Sequence, residues 1–324
     1  MRQVMVDRFG PAAEVLRVEE GELPSLADGC LRVRILAAPV NPADLNLVEG
    51  TYGVRPPLPC VPGIEGCGEV VESRADGWRP GVRVIFLTRV GTWRSHLDVE
   101  PAAVLALPEG LDPLQAAMLK VNPLTAWLLL TAVRTLREGS WVVQNAANSG
   151  VGRCVVQLAR ELGLRTLNLV RRADLAPELM ALGADAVVTD GEDAVSRMRE
   201  ATAGERPLLA FNAVGGDSAL RLMDVLADGG VHVTYGAMSR RSLKVPNSFL
   251  IFKDITLRGL WVSRWLEAAP REEIAATYES LARMVGSGGL VQPVDSVYPL
   301  TEVRAACARA AQDGRSGKVI LTNP

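Results

Sequence analysis

Up to about residue 115 the chain sets short apolar runs, "QVMVDRF", "LRVRILAAPV", "GCGEVVE" and "GVRVIF", between breaks rich in Gly and Pro. Such runs predict strands, and their close spacing predicts a mostly antiparallel β domain. From about residue 120 the period changes. "WVVQN", "TLNLV", "AVVT", "LLAFNAV" and "VHVTYG" alternate with helix-length segments, and "ITLRGLWV" follows a loop as a last strand. That alternation predicts βαβ units and a parallel, doubly wound sheet. The closing segment places a helix, "REEIAATYESLARMVGSG", before "VYPL", another helix and the strand "KVILT". The expected class is α/β: 1–119 as the β domain, 120–263 as the doubly wound domain, and 264–324 returning to the first.

The run "WVVQ" leads into "AANSGVG" and then into "RCVVQLARELG". A strand, a tight loop and a helix in this order aim backbone N–H groups and the positive end of a helix dipole at phosphate. Gly150 and Gly152 lack the Cβ atoms that would hold a pyrophosphate away, so Asn148, Ser149, Gly150, Val151 and Gly152 are candidate cofactor contacts. A plain strand-to-helix turn is the alternative. Val151, Cys154, Val155, Leu158, Ala159 and Leu162 recur at i, i+3, i+4 spacing and predict one buried helix face.

About 20 residues past such glycines, an NAD site places Asp or Glu on the ribose 2′-OH. This chain has "LVRRADL" there. The planar guanidinium groups of Arg171 and Arg172 can pair with a 2′-phosphate, which favours NADPH over NADH. Asp174 softens that preference, and a solvated basic turn is the plain alternative.

Composition mainly excludes. The 324 residues are 48% apolar and 22% charged, as in ordinary globular chains of two domains. A net charge of −2 and a pI near 5.9 give no electrostatic reason to expect nucleic acid or an anionic membrane as partner. The apolar runs are too short to span a bilayer, and "MRQVMVDRFG" has neither the apolar core of a secretory signal nor the pattern of a transit peptide, so the expected compartment is the cytoplasm. Five scattered cysteines without a CxxC pair are expected to be reduced thiols. His96 and His232 lack partners at ligand spacing, and no metal site is expected.

Together with "NPADLNLVEGTYG", "VNPLTAW", "FNAVGG", "VTYGAM" and "FKDITLRGLWVSRW", these features resemble the medium-chain dehydrogenase/reductase superfamily, and within it the zinc-free 2-enoyl thioester reductases. The resemblance runs from about residue 35 to the end. It implies a GroES-like, mostly antiparallel catalytic domain beside a Rossmann domain. Zinc-using members carry Gly-His-Glu where this chain has "PGIEG", and Ile64 has no lone pair to donate. The resemblance implies electrophilic help from a tyrosine instead, here Tyr52, since a phenol holds its proton at neutral pH and can pass it to a developing enolate. A loop tyrosine stacked on Pro56 or Pro57 is the plain alternative. Asn46 would orient substrate or phenol, or serve only as a turn or capping residue.

By the same resemblance Asn122 lies on the nicotinamide side, or else caps a helix. Tyr235, Gly236, Ala237 and Met238 follow a strand at the ligand edge of the sheet, and Leu260, Trp261 and Val262 lie beside the nicotinamide. Trp261 is alternatively core or interface. Lys318 matches a lysine that reaches the cofactor phosphates, or is simply solvated. The expected activity is NADPH-dependent reduction of the 2,3 double bond of an enoyl thioester, carried by coenzyme A or an acyl carrier protein. Quinone or 2-alkenal reduction is the first rival, and a cofactor-binding protein without turnover the second. A homodimer is expected, with "ITLRGLWV" as an exposed edge strand able to pair with its copy.

Overall fold

In the computed structural model, which describes residues 1–323, the chain divides into two units: one runs to Val121 and resumes at Ser263, and the other spans Asn122–Val262. The first unit opens with β1 (Arg2–Val6) and β2 (Leu16–Glu20), an antiparallel ribbon. Then come β3 (Leu31–Pro39), β4 (Cys67–Ser73), β5 (Arg83–Phe86), β6 (His96–Val99) and β7 (Val104–Ala106). The pairs β3–β4, β4–β5, β5–β7 and β3–β6 are all antiparallel. β3 is buried along most of its length, and its buried arginine, Arg32, is tied down by both carboxylate oxygens of Asp98 at 2.8 and 2.9 Å. A guanidinium tolerates such burial only with its charge and donors matched.

The second unit holds β8 (Trp141–Gln144), β9 (Arg165–Val170), β10 (Ala186–Thr189), β11 (Leu209–Asn212), β12 (Val231–Thr234) and β13 (Thr256–Gly259). All pair in parallel, in the order β10-β9-β8-β11-β12-β13. Strand order reverses between β8 and β11, and ligands of such sheets bind beyond the carboxyl ends at that point. The helix Gly150–Glu161 follows β8 and packs against the helix Asn122–Thr131. It is therefore buried from Gly152 to Ala159 rather than along one face, and Val151 and Leu162 are only half-buried. β13 is shorter than the "ITLRGLWV" run and stops at Gly259, because a new helix begins at Val262. All four β13 residues are exposed.

The return segment adds the helix Arg271–Gly286, β14 (Val294–Pro299) and β15 (Lys318–Thr322). β14 pairs in parallel with β15, and β15 joins β3 antiparallel, completing a seven-stranded mixed sheet whose core includes Phe86, Trp93, Leu31 and Leu321. Among the described residues, no helix is long and apolar enough to cross a membrane.

Candidate functional site

The loop after β8 is shaped by Ala146, which takes a left-handed φ of 48°, and by a turn in which Ser149 N–H donates to Ala146 O at 2.8 Å. Ala pays for that conformation in strain of order 1 kcal/mol or more, a penalty typical of functional loops. Ser149 caps the following helix, its Oγ accepting from Gly152 N at 3.1 Å. Arg153 donates from Nε to Asn148 O at 3.0 Å and pairs with Glu178, which fixes the loop from below. The N–H groups of Gly150 and Val151 head the helix, where no intrahelical acceptor exists for them.

Two close approaches explain the glycines. A Cβ on Gly152 would lie 2.5 Å from Ala147 O, and one on Gly150 would lie 2.4 Å from Asn122 Nδ2. Asn122, first residue of its helix and buried, thus meets the loop directly. Ser149, Gly150, Val151 and Asn122 together offer donors at the head of a 12-residue helix, the chemistry a dinucleotide pyrophosphate requires.

At the carboxyl edge, Tyr235 N–H donates to Asn212 O and Met238 N–H to Ala213 O, laying residues 235–238 along the loop after β11. Among the described residues the Tyr235 hydroxyl is buried and makes no well-formed hydrogen bond, with Ser149 the hydroxyl facing it. Burial pushes that phenol well above its usual range. Gly236 is half-buried, whereas Ala237 and Met238 are exposed. Arg171 and Arg172 are exposed after β9, and Arg172 Nε lies 3.2 Å from Asp174. Leu260 N–H extends the β12 ladder at Thr234 O, Trp261 is 42% exposed rather than core, and Val262 is buried at a helix start.

Several buried amides behind this edge were not anticipated. Gln144 Nε2 donates to Gly152 O at 2.9 Å and to Asn168 Oδ1 at 2.7 Å, tying two strands to the loop helix. Asn145 Nδ2 donates to Asn212 Oδ1 and Ser218, while Asn212 Oδ1 also accepts from Val214 and Gly215 N–H. Polar residues closing apolar runs, as in "WVVQN" and "LLAFN", were the available signal.

In the first unit, Asn46 and Tyr52 are brought together by backbone. The helix Pro42–Glu49 ends at the left-handed Gly50, and Asn46 O accepts from the N–H groups of Thr51 at 2.8 Å and Tyr52 at 3.0 Å. Tyr52 is half-buried, and its hydroxyl is neither buried nor bonded among the described residues. Lys318 is buried rather than solvated. It is 8% exposed and its Nζ donates to Asn41 Oδ1 at 2.5 Å, beside Asp44, Glu65 and Lys120. Burial lifts the Asp44 carboxyl to about 7 and lowers Lys120 to about 8. Among the described residues, no group of three or more His, Cys, Asp or Glu is arranged to hold a metal ion.

Comparison with known proteins agrees with this architecture. The model of the alcohol dehydrogenase GroES-like domain matches residues 27–106, and that of the zinc-binding dehydrogenases matches 150–282. The mitochondrial enoyl-[acyl-carrier-protein] reductase of Xenopus tropicalis is 39% identical over 326 residues, covering 97% of this chain and 92% of its own. A solved complex of Etr1p with NADP and crotonyl-CoA aligns with TM-score 0.90 at 28% identity, covering 99% of both chains. A structure named for an NADPH:quinone reductase of Bacillus thuringiensis aligns with TM-score 0.92 at 28% identity, covering 100% of this chain and 99% of that one.

Proposed function

Because the chain belongs to the medium-chain dehydrogenase/reductase superfamily, we propose that it is an NADPH-dependent reductase of the 2,3 double bond in trans-2-enoyl thioesters. The observation that carries this reading is Tyr52, a phenol held by its own backbone at the end of a short helix, with its hydroxyl uncommitted among the described residues. Bound NADPH supplies a hydride to C3 of the enoyl group. The chain's part is to hold the reactants, stabilise the enolate and deliver a proton to C2.

Tyr52 is the proton source in this account, acting directly or through water, and Asn46 orients it or the substrate. The N–H groups of Gly150 and Val151, with Ser149, Gly152, Asn148 and Asn122, hold the pyrophosphate side. The guanidinium groups of Arg171 and Arg172 select the 2′-phosphate, which a carboxylate at that strand end would repel. Residues 235–238 and 260–262 line the nicotinamide side. The thioester arrives on coenzyme A or a carrier protein. The exposed β13 edge, with exposed Leu257 on it and exposed Ile251, Phe252 and Trp261 flanking it, pairs with a second copy of this chain.

A second reading, reduction of quinones or 2-alkenals, draws on the likeness to the quinone reductase. Quinone reduction puts its protons on oxygen and needs no phenolic donor to a carbon centre. Kinetics with crotonyl-CoA, a quinone and a 2-alkenal under one NADPH concentration separate the two: kcat/KM highest for the thioester supports the proposal. Tight NADPH binding without turnover of any of the three would point instead to a binding protein.

A further inference from the structure

The helix leading to Tyr52 is only eight residues long, and a helix of that length does not hold itself in place by backbone bonding. Its first turn is locked into a buried polar cluster. Asn41 N–H donates to Asp44 Oδ2, and Asp44 Oδ1 accepts from Ile64 N–H, both at 2.9 Å. Asn41 Nδ2 donates to Glu65 Oε1 at 2.8 Å, and Glu65 Oε2 accepts from Val121 N–H at 2.8 Å. Lys120 Nζ donates to Ile64 O and Thr88 O. Lys318, on β15, reaches Asn41 Oδ1 and so ties the helix start to the sheet.

We propose that this cluster sets the position of Tyr52, with Lys318 as a positioning residue acting through Asn41 and the helix Pro42–Glu49. The proposal rests on the enoyl thioester reading. Asn41 is the junction: its amide oxygen takes the Lys318 ammonium and its amide nitrogen gives to Glu65, so a shift of either side chain moves the helix cap. At the far end, Asn46 O holds the Tyr52 backbone directly, and the helix between is a rigid two-turn lever. Asn41, Asp44, Glu65, Lys120 and Lys318 are all at least nine-tenths buried. Two carboxyl groups and two ammonium groups share this space, so deleting one ammonium leaves its partners unmatched in a water-poor site. Lys318 spends its buried ammonium on this cap.

The test compares Lys318→Met and Lys318→Arg with wild type in the full chain, by steady-state kinetics with crotonyl-CoA and NADPH and by hydrogen exchange over residues 42–52. Lys318→Met is expected to lower kcat about 10- to 100-fold through misplacement of the donor, leave the KM for NADPH unchanged within about twofold, and accelerate exchange over 42–52. Lys318→Arg is expected to restore most of both. A raised KM for NADPH at unchanged kcat would overturn the proposal in favour of a cofactor-phosphate contact, and unchanged exchange over 42–52 would overturn it outright. If wild type does not reduce crotonyl-CoA, the functional reading fails, and exchange over 42–52 alone decides the anchoring role. Should Lys318→Met not fold, Asn41→Ser keeps a capping oxygen while removing the bridge, and the same outcomes apply.

Discussion

Gly150 faces the Asn122 amide so closely that any Cβ there would stand 2.4 Å from Asn122 Nδ2. This contact joins the head of the helix Gly150–Glu161 to the head of the helix Asn122–Thr131, and it makes the two glycines of the loop unequal. At Gly150 the obstacle is the tip of a side chain, which can turn away. At Gly152 it is the Ala147 backbone, which cannot. Gly152→Ala is therefore expected to destabilise the protein by about 1–3 kcal/mol and to raise the KM for NADPH more than Gly150→Ala. Thermal unfolding and cofactor titration of both variants check this order.

The basic pair after β9 is expected to read the 2′-phosphate. Replacing Arg171 and Arg172 together by Ala should lower kcat/KM for NADPH about 10- to 100-fold, as for loss of one or two charge-assisted hydrogen bonds, with little change for NADH. Asp174→Asn, which frees Arg172 from its carboxylate partner, should shift selectivity further toward NADPH. Equal losses with both cofactors would refute the assignment.

His232 predicts an acid-labile step. It is fully buried in β12 with neither ring nitrogen bonded among the described residues, and burial depresses its pKa from 6.5 to about 4. The unfolded chain therefore binds more protons than the folded one between those values, so the His232 contribution is complete above about pH 6.5 and falls as pH drops toward 4. Asp44, lifted by burial from 3.8 to about 7, acts with the opposite sign, favouring the fold at low pH and losing that effect as pH rises. Comparing wild type with His232→Leu isolates the imidazole: denaturant unfolding at pH 5 and pH 7.5 should show a smaller acid loss in the variant, by about 1–3 kcal/mol. Parallel pH profiles would contradict it.

The edge strand β13 predicts a dimer that a single change can split. All of Thr256–Gly259 is exposed, and Leu257 offers an apolar side chain on that edge. Leu257→Lys, a charge of the kind that protects natural edges, should convert a dimer to monomer in sedimentation velocity while leaving far-ultraviolet dichroism intact. A wild type that sediments as a monomer would remove this interface.

The alternation after residue 120, the glycine-bearing loop and the terminal strand were legible because each is a local pattern: period, turn residues, helix start. The buried amides were not. Gln144 meets Asn168, and Asn145 meets Asn212, only because β8 lies between β9 and β11, and strand order is not written in any one segment. The burial of Lys318 was hidden for the same reason. Its partner Asn41 lies 277 residues away, and a lysine beside Gly317 in "SGKVIL" looks solvated or ligand-facing until β15 is set against β3. The end of β13 was overrun because "GLWV" is apolar, although Trp261 is substantially exposed and Val262 starts a helix.

The most direct test of the central claim is the turnover of crotonyl-CoA by Tyr52→Phe with saturating NADPH, which removes one oxygen and keeps the ring. The account predicts clear wild-type reduction and a kcat about 10²- to 10⁴-fold lower in the variant, at an unchanged KM for NADPH. A variant as fast as wild type would show that the proton and the enolate stabilisation come from elsewhere, and the assignment of Tyr52 would fall.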